Sequence, residues 1–197
     1  MTQILPPKPI SHDAAAQLIA MLETRRSELP FADEELARHR ALRNALEEQI
    51  ICGEQALAAW RQALAQRWQA EVIGQRTYIA VQRRISNCFG HDALYLQLVA
   101  PSQPASALTA SNLLADMRRL EASLALLRPR PPFAEESLLQ MREAGDRLAA
   151  AIEWSEHCEA ERRRVMIEQR LATNLYERVC QKTRRLVAAH MRGDLAA

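Results

Sequence analysis

The chain has 197 residues, of which 48% are apolar and 25% charged, with a formal charge of +2. That composition is ample for a buried core and excludes a disordered chain, and the near balance of charge places no demand for a polyanionic partner. Only five Gly and 5% aromatics stand among abundant Ala, Leu, Arg and Glu, the residues that form helices well and strands poorly, so an all-α fold is expected.

Residues 1–10, with Pro6, Pro7 and Pro9, read as an extended N-terminal tail. Ser11 or Asp13 then caps a first helix that runs to about Leu29, where Pro30 ends it. A second helix starts under the acidic turn Asp33-Glu34-Glu35, which suits the positive end of the helix dipole. The five-residue spacing of Phe31 and Leu36, matched by Phe133 and Leu138, is that of a hydrophobic staple, with Ala32 or Ala134 in the cap position. From Ala32 to about Phe89 there is no proline. The residues Leu46, Ile50, Leu57, Trp60, Leu64, Trp68 and Val72 recur at helical steps, which predicts one long helix through Gly53 and Gly74, roughly 80 Å at 1.5 Å per residue.

Residues 90–105 form a connector, within which Leu94 to Val99 is expected to pack on the bundle. A short helix follows from about Ser106 to Leu127, then the proline-rich break 128–132 and a second long helix from about Ala134 to Met191. There Leu148, Ile152, Met166, Leu175, Val179 and Leu186 continue the apolar stripe, while the polar stretch Ser155 to Arg164 reads as a projecting segment or an exposed waist. The three tryptophans, Trp60, Trp68 and Trp154, fall near the stripes and are taken as core.

This order of elements repeats. Pro30-Phe31-Ala32-Asp33-Glu34-Glu35-Leu36 is echoed by Pro132-Phe133-Ala134-Glu135-Glu136-Ser137-Leu138, and at the same offset Arg40 meets Arg142, Leu46 meets Leu148, Ile50 meets Ile152, Arg76 meets Arg178 and Arg83 meets Arg185. Roughly fourteen identities fall over about sixty positions, where this composition gives about five by chance. The expected organisation is an elongated antiparallel helical bundle of coiled-coil-like hairpins, a tandem duplication of a short helix plus a long one. Residues 11–89 and 106–197 would form the two units, packed as one domain.

Chemistry is sparse. His12, His39, His91, His157 and His190 form no Glu-x-x-His or His-x-x-x-His pair, and Cys52, Cys88, Cys158 and Cys180 show no C-x-x-C spacing, so no metal or other cofactor is expected and the cysteines read as small buried apolar residues. The clearest charge pattern lies near the end of each long helix. Arg76, Arg83 and Arg84 stand in one acid-free stretch, and Arg178, Lys182, Arg184, Arg185 and Arg192 in the other, each with members seven residues apart on one face. Such a stripe could follow the phosphates of a nucleic acid or another polyanion. It better suits the negative end of a helix dipole beside the acidic start of an antiparallel neighbour.

Arg84 with six residues to His91, and Arg185 with four to His190, give the Arg-x(4–6)-His spacing that resembles helical ribonucleases of the HEPN type. That resemblance implies RNA cleavage at a site shared across a dimer. The polar residue usual directly after the Arg is missing here, because Ser86 and Asn87 lie off that position.

No apolar run reaches the eighteen or so residues that cross a bilayer and the N-terminus lacks a signal-peptide core, so a cytoplasmic protein without membrane association is expected. The reading reached from the residues is a non-enzymatic helical scaffold, adaptor or assembly protein that forms a homodimer and contacts protein partners through helix faces. Nucleic-acid or polyanion binding through the basic stripes is the competing class.

Overall fold

A computed structural model describes residues 12–90 and 109–193, and 89% of these are helical, with no strands. Among them are four helices: α1 (His12–Thr24), α2 (Ala32–Phe89), α3 (Ala110–Leu126) and α4 (Ala134–Met191). The connector run Leu94 to Val99, expected to pack on the bundle, lies outside the described residues, as do the tail 1–10 and His91.

The boundaries follow from local chemistry. Both long helices stay unbroken through their glycines, since a single Gly costs only about 1 kcal/mol in a helix interior. Each ends on a glycine in the left-handed region, Gly90 at φ 64° and Gly193 at φ 78°, where a Cβ is disfavoured. The Thr109 hydroxyl caps α3 by accepting from the Asn112 amide at 3.2 Å.

Two local expectations need correction. α1 stops at Thr24 rather than near Leu29, because residues 25–29 form a hydrogen-bonded turn, Leu29 N to Arg25 O at 3.2 Å, that swings Leu29 into the core. The caps of the long helices are Phe31 and Phe133, whose carbonyls accept from the Glu35 and Ser137 amides. Ala32 and Ala134 are instead first-turn residues, each 1% exposed, where a larger side chain would force the chains apart. With Phe31 itself at the cap, the staple geometry does not arise.

Packing divides the chain into two compact units, residues 1–56 with 162–197 and residues 57–161. They interleave the linear segments 11–89 and 106–197, because each unit combines the start of one long helix with the end of the other. In the first unit α1 packs on the start of α2 and the end of α4, around Leu18, Leu22, Leu29, Leu36, Cys180 and Val187. There the long helices run antiparallel. His39 meets Thr183, and fourteen residues further along α2, Gly53 faces Gln169, fourteen residues earlier on α4. In the second unit α3 supplies Leu113, Met117, Leu120 and Leu124 against Val81 and Ile85 of α2 and Met141 and Leu148 of α4. Antiparallel order holds here too, with Arg84 against Ser137 and Gly74 against Leu148.

The buried stripes sit at a different phase from the one expected. On α2 of the second unit the inward positions are Ala63, Ala70, Gly74, Tyr78 and Val81, whereas Leu64 and Trp68 are exposed. Trp68 is two residues, hence about 200°, from Ala70 and points away from the helix contact. Small residues at that contact let the helices approach closely, and an indole there would not fit. On α4, Met166 and Leu175 are likewise exposed and Val165, Tyr176, Cys180, Thr183 and Val187 turn inward. The polar stretch Ser155 to Arg164 keeps an inward face, since Ser155 and Cys158 are buried and the Ser155 hydroxyl donates to Ile152 O at 2.8 Å. Trp154 is half exposed and stacks on His157.

Candidate functional site

The cationic residues singled out in the sequence divide between the units. In the second unit Arg84 reaches the acidic start of α4, donating to Ser137 Oγ at 3.1 Å and pairing with Glu136 at 3.3 Å. This is the dipole-complementing arrangement of antiparallel helix ends. Arg76 and Arg83 are exposed. In the first unit Arg178, Lys182, Arg184, Arg185 and Arg192 are all exposed, and Arg178, Lys182 and Arg185 fall at steps of four and three on one face of α4. His190 is engaged at the helix end, its Nε2 3.0 Å from Glu28 O and its ring edge-on to Phe31.

A buried polar chain in the first unit had no signal in the sequence. Glu35, His39 and Thr183 are 4%, 0% and 0% exposed, and they touch. The Thr183 hydroxyl lies 2.6 Å from Glu35 Oε2 and 2.9 Å from His39 Nε2, while Arg38 donates to the other Glu35 oxygen at 2.6 Å. One hydroxyl carries one proton. With Thr183 donating to the carboxylate, its oxygen accepts from His39 Nε2–H, which leaves Nδ1 as an acceptor facing Cys180 Sγ at 3.9 Å. A directional series therefore runs from the Cys180 thiol through His39 and Thr183 to Glu35. His39 and Glu35 are four residues apart on α2, and Thr183 and Cys180 three apart on α4, so each helix presents two members on its inward face.

Beyond Cys180 the packing opens. A cavity of about 180 Å³ is lined by Ala15 of α1, Leu46 and Ile50 of α2, and Thr173, Tyr176, Glu177 and Cys180 of α4, and its walls are mostly apolar. The Tyr176 ring stands edge-on to His39, and its buried hydroxyl has the Cys180 thiol, a weak partner, beside it and makes no hydrogen bond of normal geometry. The two buried cysteines match the expectation for small apolar residues, but Cys52 and Cys88 are exposed. No group of three His, Cys, Asp or Glu among the described residues could hold a metal ion.

Burial sets the titration of this chain. Desolvation lowers the His39 pKa, with Glu35 raising and Arg38 lowering it to a smaller extent, and burial raises those of Cys180 and Tyr176. In the folded protein His39 thus holds its proton less tightly than in the unfolded chain, so acid favours unfolding. Stability from His39 should be constant above the ordinary imidazole value of about 6.5 and fall as pH drops below it. Cys180 and Tyr176 act oppositely, their contribution being lost as pH rises past about 8.5 and then about 10. Urea unfolding from pH 5 to 10 should therefore show a plateau between two falling limbs, and His39→Leu should flatten the acid limb.

Comparison with protein-family models, with curated proteins and with solved structures gave no match. Among the described residues no helix is long and apolar enough to cross a membrane.

Proposed function

We propose that this protein is a non-enzymatic helical scaffold that works by helix-to-helix docking, with the outer face of α4 in the first unit as its contact surface and a second copy of the chain as one partner. The observation that carries this reading is the row Ile167, Leu171 and Leu175, exposed by 62%, 63% and 52% at four-residue steps. Leu171 and Cys180 are nine residues apart, about 180° around the helix, so the row lies on the side opposite the core. An isolated exposed Leu is ordinary, whereas three in register along a helix form the kind of continuous apolar strip that another helix covers.

Light scattering on a size-exclusion column tests the proposal. The natural chain should run as a dimer, and Leu171→Glu should give a monomer with unchanged helicity, since a charge placed in an apolar contact costs several kcal/mol of association. A monomeric natural chain, or a dimer that survives Leu171→Glu, would remove the α4 face from this role.

The exposed cations Arg178, Lys182 and Arg185 favour polyanion binding as the second reading. Under it, affinity for heparin or RNA should fall steeply with salt and drop on Arg178→Glu with Arg185→Glu. The HEPN-type reading would require RNA cleavage that His190→Ala abolishes.

A further inference from the structure

The cavity beside Cys180 is unused by a docking role on the opposite face of α4, and it has the attributes of a binding site. Its volume of about 180 Å³ compares with the roughly 150 Å³ of an engineered apolar cavity that takes up benzene. Leu46, Ile50 and Ala15 supply its apolar wall. Tyr176, 7% exposed, brings a hydroxyl that makes no hydrogen bond of normal geometry, a costly group to bury unless something satisfies it. The neighbouring Cys180 thiol is only a weak acceptor and donor, and it faces His39. Glu177, also in the lining, brings a negative charge close to the cavity, which disfavours an anionic ligand.

We infer that this cavity binds a small neutral apolar molecule carrying one hydroxyl group, of phenol size, with its ring or chain against Leu46 and Ile50 and its hydroxyl on Tyr176 Oη. Benzene has six heavy atoms, and the larger volume here admits about one or two more. The ligand oxygen accepts from the Tyr176 hydroxyl, which settles the orphaned tyrosine without moving the Glu35, Thr183, His39 and Cys180 series. The α1 wall at Ala15 closes the side away from the two long helices.

Fluorine NMR on the full chain, with 4-fluorophenol and fluorobenzene as probes, tests this inference. Both probes should bind at millimolar or lower concentration, 4-fluorophenol about three- to tenfold more tightly, as one net hydrogen bond provides. Tyr176→Phe should erase that preference while leaving fluorobenzene bound. Thr173→Leu should fill the cavity from its α4 wall and abolish both, and Ile50→Phe, which fills it from the α2 wall, serves if the first variant loses helicity. The inference is overturned if neither probe binds the natural chain, if the preference persists in Tyr176→Phe, or if binding survives in a folded variant with the cavity filled.

Discussion

Thr183→Val should lower the folding stability of this protein by about 2–4 kcal/mol, read as a shift of the urea unfolding curve, although valine matches threonine in shape. The reason is the group left behind. The Thr183 hydroxyl simultaneously satisfies Glu35 Oε2 and His39 Nε2 in a region closed to water. Without it, a buried carboxylate oxygen and a buried imidazole N–H both lose a partner, at about 1–3 kcal/mol each and more where a charge is involved. Thr183→Ser keeps the hydroxyl and should cost only about 1 kcal/mol, the value of a buried methyl. A sharper comparison comes from the second unit. At an offset of 102 residues, Glu35, His39 and Thr183 correspond to Ser137, Met141 and Val81, which are also almost fully buried. The triple replacement Glu35→Ser, His39→Met and Thr183→Val should therefore regain most of the stability lost in Thr183→Val, because removing a buried polar set together is far less costly than breaking it. If Thr183→Val is as stable as the natural chain, the polar series contributes nothing to the fold.

The second large effect contrasts two big apolar residues of the second unit. Leu148→Ala should cost about 3–5 kcal/mol. Its side chain is 0% exposed and packs against Gly74 beside Met117 and Leu113, so truncation leaves a cavity that three helices cannot easily close. Trp68→Ala removes far more apolar surface from the chain yet should change stability by less than about 0.5 kcal/mol, since Trp68 is 65% exposed. Denaturation midpoints of the two variants settle the phase of the α2 stripe. A Trp68→Ala loss comparable to that of Leu148→Ala would put the indole in a core.

Helix type and number, and the extent of the long helices, were legible because they depend on local chemistry. The absence of proline between Ala32 and Phe89, the acidic first turns and the terminal glycines act within a few residues of where they stand. The inward face was harder to read. Apolar residues lie on several faces of α2 and α4, and choosing Ala70 and Tyr176 over Trp68 and Leu175 required knowing how the partner helix approaches, closely enough at α2 to demand alanine and glycine. Hydrophobicity argues for the large side chains and close packing for the small ones, and only the partner helix decides between them. The polar series was invisible for a related reason. Glu35 reads as an ordinary first-turn acid and Thr183 as an ordinary helix residue, and 148 positions separate them. Among the basic residues, Arg84 stands in the acid-paired setting that the charge layout allowed.

The way the two units draw on the chain has a consequence for how the protein is made. Residues 57–161 are one uninterrupted stretch, so a ribosome that has released them has released the whole second unit, whose contacts can form at once. The first unit needs residues 162–193 to complete it, and until they emerge Leu22, Leu29 and Leu36 lack the α4 side of their core. Synthesis from the N-terminus thus delivers the first segment earliest and lets it finish last, an order in which the middle of the polypeptide matures before either end.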